Sequence, residues 1–287
     1  MGRNTKLPPS EALAAVLRRP SYEVMPLKGV EQAVAGLPRE VRLTVTFSPA
    51  QGVGRTLEIT GRLSAMGFRV VPHLAARFIT GHSHLAKIIG RLDECRVREI
   101  FVIGGDRDQP AGEFPSAASL LDAIAAEGAA FDEIGIAGYP EPHPTIPDHA
   151  LMSALSEKSR HATYLVSQIC FDADAVRAWA QRMRERGIMQ RIEVGIPGAV
   201  PVSALLRISA KVGVGQSLRF MRGNRGLAGA LLGQRGTYRP DRLIRQLESA
   251  FTDPRTTVGG MHIYTFNDVE RTEQWRQTRL SELPASI

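Results

Sequence analysis

Two carboxylates and one amide stand where apolar runs of this chain end, and such groups can move a proton and grip a polar ring. The segment Phe101-Val-Ile-Gly-Gly-Asp106 runs three apolar residues into a glycine pair and then a carboxylate. A strand buried on both faces reads as such a run. Glycines beyond it let a ligand approach the backbone. Asp106 therefore falls at a strand's carboxyl end, where α/β enzymes keep their chemistry. Glu23 lies between Tyr22 and Val24 in an apolar run; glutamates are rarely buried unless paired or functional. Gln168 ends another run, and an amide there must find partners. Thr46, His73, Tyr139 and Phe266 end four more, and His143 sits in the turn Pro140-Glu-Pro-His-Pro144. Two carboxylates in a partly apolar site suit proton transfer, because burial can lift one pKa while the other group stays charged. The set holds no His/Cys metal cluster and no activated serine or cysteine. Plainer roles stay open: a salt bridge for Glu23, a turn cap for Asp106, a core position for His73, a rim or packing position for Tyr139 and Phe266, a rigid loop for His143.

These groups need elements to hold them. Strand-like runs fall at 21–25, 42–46, 69–74, 99–103, 133–137, 164–167, 192–195 and 261–265. Helical patterns lie between them. Leu85, Ile88, Ile89 and Leu92 follow helical spacing, 118–127 is rich in alanine and leucine, and Asp172 can cap a helix carrying Val176 and Trp179. Segments 202–211 and 242–251 give two more. Strands separated by helices pair in parallel, and eight such units predict a single-domain (β/α)8 TIM barrel over 1–287, with 1–20 as an N-terminal extension or helix. An open doubly wound sheet is the structural rival, but Met25-Pro-Leu-Lys-Gly is not its glycine-rich phosphate turn. The glycine- and arginine-rich stretch 219–238 receives no role.

Of the 287 residues 43% are hydrophobic, enough for a sizeable core, and no apolar stretch is long enough to span a bilayer. The N-terminus is charged and proline-broken, unlike a secretory signal. Cys95 and Cys170 form no zinc or disulfide pattern and read as core residues of a cytoplasmic protein. A net charge of +7 invites a nucleic-acid partner. The basic residues are scattered, however, with clusters only at 177–191 and 219–245, and the first has Val176, Trp179 and Met183 on its other face. The charge equally suits ligands with phosphates or carboxylates. The expectation is a small-molecule enzyme with no nucleic-acid and no membrane partner; a homo-oligomer is left open.

Taken together, the motifs resemble the methylenetetrahydrofolate reductase family. Ser21-Tyr-Glu-Val-Met-Pro26 resembles its opening strand and Val71-Pro-His-Leu74 its third. Gly104-Gly-Asp106 with Pro110-Ala-Gly112 resembles its Arg-Gly-Asp loop. Ala137-Gly-Tyr-Pro-Glu-Pro-His-Pro144 is similar to Ala-Tyr-Pro-Glu-x-His-Pro, and Ser167-Gln-Ile-Cys-Phe-Asp172 to Thr-Gln-x-x-Phe-Asp. Segments 196–202 and 262–267 match its last two strand ends. The resemblance implies a TIM barrel that reduces methylene-tetrahydrofolate to methyl-tetrahydrofolate. Glu23 would be the general acid that opens the folate ring to an iminium. Asp106 would hold the pterin's amino-pyrimidine edge, Gln168 would contact the pterin and Phe266 would help sandwich it. Thr46, His73 and Tyr139, with Gly104, Gly105 and His143 beside them, match cofactor-contacting positions.

Two departures stand out. FAD-binding members usually carry arginine where this chain has Gly104, and a Lys-Val-Asp-Ala-Gly-like stretch where it has Lys158-Ser-Arg-His-Ala-Thr163. Losing a basic side chain and a close-approach glycine weakens a dinucleotide site. The chain looks closer to a divergent branch thought to work without bound flavin, with NADH or NADPH giving hydride directly. A conventional FAD-bound reductase, another TIM-barrel oxidoreductase, a folate-binding methyl-transfer domain and a basic nucleic-acid-binding protein are the rivals.

Overall fold

Strand and helix alternate along the chain in the computed structural model, which describes residues 8–205 and 236–283. The order is α1 (Pro9–Arg18), β1 (Ser21–Val24), α2 (Val30–Val34), β2 (Arg42–Val45), α3 (Gly52–Ala65), β3 (Val70–Ala75), α4 (His82–Glu94), β4 (Glu99–Ile103), α5 (Ala117–Ala126) and β5 (Glu133–Gly138). It continues with α6 (Asp148–Ser159), β6 (Tyr164–Ser167), α7 (Ala173–Glu185), β7 (Arg191–Pro197), β8 (Val200–Pro201), β9 (Thr237–Tyr238), α8 (Asp241–Leu247), β10 (Val258–Tyr264) and α9 (Val269–Glu282). Strands β1 to β7 and β10 close into one parallel barrel, with β1 paired to both β2 and β10. The expected (β/α)8 barrel is therefore the fold, and an open sheet is excluded.

Local signals set the element ends. Ser116 begins α5 with a capping box shared with Ser119. The Asp172 carboxylate accepts from the Asp174 and Ala175 amides at the start of α7, as expected of a cap. On α7 Val176, Trp179 and Met183 face the core, opposite the basic face. Two expectations need correction. Segment 242–251 is helical only to Leu247 before tightening to a 3-10 turn over Glu248–Thr252. Cys95 is half-buried, because it caps the C-terminal end of α4; Cys170 is buried as expected. The predicted 202–211 helix is helical at 202–205; its remainder, and 219–235, lie outside the described residues. The two-residue β8–β9 ladder was not predicted. Among the described residues no helix is long and apolar enough to cross a membrane.

Side chains of successive strand residues point to opposite faces. Outward residues such as Val24, Leu43, Leu74, Ile100, Leu165, Val194 and Ile263 bury against the helices in the main core. The inner face is tiered. An aromatic tier contains Val71, Phe101, Tyr164 and Val166. Below it, toward the strands' amino ends, lies a tier of charges. Arg42 Nη1 meets Glu133 at 2.7 Å and Glu99 at 3.2 Å, Nη2 meets Glu193, and Nε donates to Ser21 Oγ at 2.9 Å. Its guanidinium also lies 4.7 Å from the Tyr164 ring centre. Burial disfavours the Arg42 charge, but Glu193, Tyr164 and Glu99 outweigh it and raise its pKa. Burial likewise pushes the Glu193 carboxyl up, and Arg42, His262 and Arg191 bring it below its ordinary value.

Removing one partner of a buried ion cluster strands the others without compensation. Arg42→Leu is therefore expected to lower unfolding stability by about 3–5 kcal/mol, measured by chemical denaturation; a loss under about 1 kcal/mol would contradict this. The Glu193 share has a pH sign. Its folded pKa lies below the ordinary 4.5, so its stabilisation is present above that pH and is lost as pH falls through the depressed value.

Candidate active site

The carboxyl ends of the barrel strands form the opposite mouth. In β1 the alternation sends Tyr22 and Val24 outward and Glu23 inward. Tyr22 Oη donates to Glu273 of α9 at 2.8 Å. The Glu23 side chain is 19% exposed, and its Oε2 lies 3.2 Å from His262 Nε2 and 3.9 Å from His73 Nε2. The sequence reading put His73 at a strand end; instead it lies within β3, aimed into the barrel, because the strand runs on to Ala75. Its ring centre is 4.6 Å from that of Phe101. Burial drives the His73 pKa down to about 4; the Glu23 carboxylate opposes this and His262 adds to it. His73 Nε2 and His262 Nδ1 are both buried without a hydrogen-bond partner.

Asp106 reaches this mouth from the loop after β4. It is exposed, unlike Glu23. Electrostatics links the two. Burial raises the Tyr139 phenol, and Asp106 raises it further. Burial raises Tyr264 well above its usual value, with Glu23 and then Tyr139 adding to it. Glu23, Tyr264, Tyr139 and Asp106 thus form one string of mutually sensed groups. The two glycines before Asp106 differ. Gly105 has φ +88°, and a Cβ there would meet Phe78 at 3.1 Å, so glycine is required. At Gly104 a Cβ would meet nothing within 4 Å.

The other predicted residues ring the mouth with differing commitments. Gln168 Oε1 accepts from the Ile169 amide at 2.8 Å, which fixes the side chain just past β6. Thr46 stands one residue past β2, its amide donating to Val24 O at 2.9 Å. The Tyr139 and His143 rings meet edge-on at 5.4 Å. His143 Nδ1 is occupied by its own loop, accepting from the Thr145 and Ile146 amides at 3.2 Å. Phe266 packs beside an apolar cluster of Ile169, Phe171, Val200 and Leu205. It holds φ +51° and Asn267 holds φ +65°, a costly conformation for a bulky residue and one that gathers at functional sites. Asn267 fixes it by accepting from the Met25 amide at 2.7 Å and donating to Met25 O at 3.1 Å.

Sequence reasoning missed His262, Tyr264, Asn267 and Lys158. Inward alternation with Gly260 was the available signal for the first two. Lys158 Nζ donates to Ala137 O at 3.1 Å, and burial lowers its pKa to about 8. Among the described residues no group of three or more His, Cys, Asp or Glu could hold a metal ion.

The family model for methylenetetrahydrofolate reductase matches residues 27–216. Glu23 and His262 lie outside that span. Among solved structures the chain is similar to a candidate phosphonomutase from Burkholderia cenocepacia J2315, at 9% identity over 96% of this chain and 99% of that one, with a TM-score of 0.49. It is also similar to a candidate lyase/mutase from the same organism, at 16% identity over 95% and 86% of the two chains, with a TM-score of 0.44.

The His73 environment makes a solution prediction. Its imidazole is expected to stay neutral down to a pH near 4, which nitrogen NMR of the ring reads directly. The unfolded chain takes up that proton near its ordinary 6.5, so stability is full above that pH and falls as pH drops from there through the folded value. A His73 titration midpoint near the ordinary value would contradict the burial argument.

Proposed function

The chain belongs to the methylenetetrahydrofolate reductase family, and from that premise we propose that a reduced nicotinamide gives its hydride directly to 5,10-methylenetetrahydrofolate, with Glu23 as general acid. Membership implies an oxidoreductase acting on folate. The nicotinamide donor, the acid and the flavin-free route are the added reading. The observation that carries it is the pairing of a recessed carboxyl, Glu23, with an exposed carboxylate, Asp106, at one barrel mouth.

Each group has a separate task. Glu23 gives its proton to a folate ring nitrogen, the five-membered ring opens, and the exocyclic iminium carbon accepts hydride. One hydride and one proton are consumed for each methyl group formed, and the carboxylate left on Glu23 is reprotonated from solvent. Asp106 holds the amino-pyrimidine edge and stays charged beside the cationic intermediate. Gln168 contacts the pterin, and Phe266 covers it from the strained turn. Thr46, Tyr139 and the Gly104–Gly105 backbone border the space for the second ring. The same residues run the reverse oxidation, since the acid becomes the base.

A resident flavin fits this mouth poorly. Where the resemblance expects an arginine for its phosphates, Gly104 faces open space. The Lys158 ammonium is turned to the Ala137 carbonyl. His143 is spent on its own loop. NADH or NADPH, entering as a substrate, needs no permanent grip of that kind.

Purified full-length protein should lack the flavin band near ~450 nm and should oxidise NADH or NADPH only when methylene-tetrahydrofolate is present. A stoichiometric flavin band would overturn the flavin-free route, and absence of folate-dependent oxidation would overturn the reductase reading. Glu23→Gln is expected to cut turnover roughly 10²-fold with folate affinity kept, the scale of a lost general acid. Asp106→Asn should weaken folate binding and rate together. Near-normal turnover in Glu23→Gln would remove Glu23 from its role.

A further inference from the structure

Resting on the general-acid reading of Glu23, we propose that His262 is a positioning residue: its Nε2–H holds one oxygen of the Glu23 carboxyl, leaving the other free to carry the proton to the substrate. The geometry is specific. His262 Nε2 and His73 Nε2 both approach Oε2 of Glu23, at 3.2 and 3.9 Å. Only the first lies within hydrogen-bond reach. The His262 side chain is 1% exposed, so its contact with Glu23 is shielded from solvent competition. Its ring stands 4.9 Å from the Tyr264 ring, at 61°. That edge packing orients the imidazole, whose Nδ1 is buried. The backbone of Glu23 is fixed as well, since Thr265 Oγ1 donates to Glu23 O at 2.6 Å.

The surroundings supply a reason for this arrangement. Glu23 faces His262 and Tyr264 from β10 and His73 from β3. His262 in turn senses His73 and, on the side of the charged tier, Glu193 of β7, which is itself bound by Arg42 of β2 and Arg191. Tyr264 senses Tyr139 of β5, and Tyr139 senses Asp106. Among these only His262 offers Glu23 a hydrogen-bond donor. His73 Nε2 stands 3.9 Å from the carboxyl, beyond hydrogen-bond reach, and Tyr264 Oη donates to the Ser167 carbonyl at 3.2 Å. When Glu23 releases its proton, His262 is therefore the group placed to stabilise the new carboxylate. A hydrogen bond to the charged carboxylate favours that form, so losing the donor should make Glu23 release its proton less readily.

The test compares wild type with His262→Leu, which removes the donor, and His262→Gln, which can keep one. Turnover is measured with saturating folate and nicotinamide across the pH range. His262→Leu is expected to lower the turnover plateau roughly tenfold and to move the alkaline limb up by about one pH unit, the scale of one lost hydrogen bond to a charged group. His262→Gln should restore most of both. A folded Leu variant whose alkaline limb stays at the wild-type pH would overturn the proposal, as would Gln and Leu variants impaired alike. A second measurement needs no activity and no Leu variant. Nitrogen NMR of the histidine rings in wild type and Glu23→Gln should show the His262 Nε2 signal shifting when the carboxyl becomes an amide. An unmoved signal would overturn the contact, even if the protein proved not to be a reductase. A shift in a protein without folate-dependent oxidation would uphold the contact and sink only the reaction.

Discussion

The parallel seam between β1 and β10 is the contact on which the site depends. Ser21, Tyr22 and Glu23 pair with His262, Ile263 and Tyr264, and this register places the first strand's carboxyl beside an imidazole 239 residues away in sequence. A slip of one residue would turn every side chain of β1 to the other face. Tyr22 would then enter the barrel and Glu23 would face α9. Three ties resist the slip. Tyr22 is bonded outward to Glu273, Ser21 Oγ donates inward to Glu193 at 3.0 Å, and Asn267 clasps the Met25 backbone at both donor and acceptor. The Glu23 carboxyl is thus aimed by contacts made by its neighbours in the chain.

The charged tier below explains why polar groups can sit so deep. Desolvation works against each ion, and it is overcome only because Arg42 has acidic partners from three strands while Glu193 has Arg42, Arg191 and the imidazole above it. Such a cluster adds little stability over an apolar plug of the same shape, but it tolerates no missing member. It fills the barrel interior toward the strands' amino ends, opposite the mouth where Glu23 and Asp106 stand. The aromatic tier of Phe101 and Tyr164 separates the two ends.

Most strands were legible because their apolar runs are short, separate and flanked by helical spacing, and the eight of them appear where the sequence puts them to within a few residues. Carboxylates at strand ends were legible for a related reason: Glu23 and Asp106 interrupt apolar surroundings. The interior was not. Arg42, Glu99, Glu133 and Glu193 lie at or near strand starts, where a charge reads as solvated surface, and only closure shows that they converge. His262 follows Met261 and precedes Ile263; a lone histidine in an apolar run is as good a core residue as a functional one. Its meaning lies in a partner from the other end of the chain, and no local pattern encodes that. His73 was singled out with a core position as one of its readings, but the strand runs on past it to Ala75.

The strained turn after β10 fits the same logic. Two successive non-glycine residues at positive φ cost on the order of 1–3 kcal/mol each, and a Gly at 266 would relieve the strain. The turn keeps Phe266 instead. Its amide neighbour Asn267 offsets part of that cost through two bonds to Met25, the residue that follows β1. The strain and the seam are therefore linked: the bonds that hold the Phe266–Asn267 turn are those that tie down the end of β1. The Phe266 backbone is tied to that of Glu23 through Asn267 on one side and Met25 and Val24 on the other. A shift of the Phe266 backbone and a shift of the end of β1 are then coupled through the Met25–Asn267 bonds.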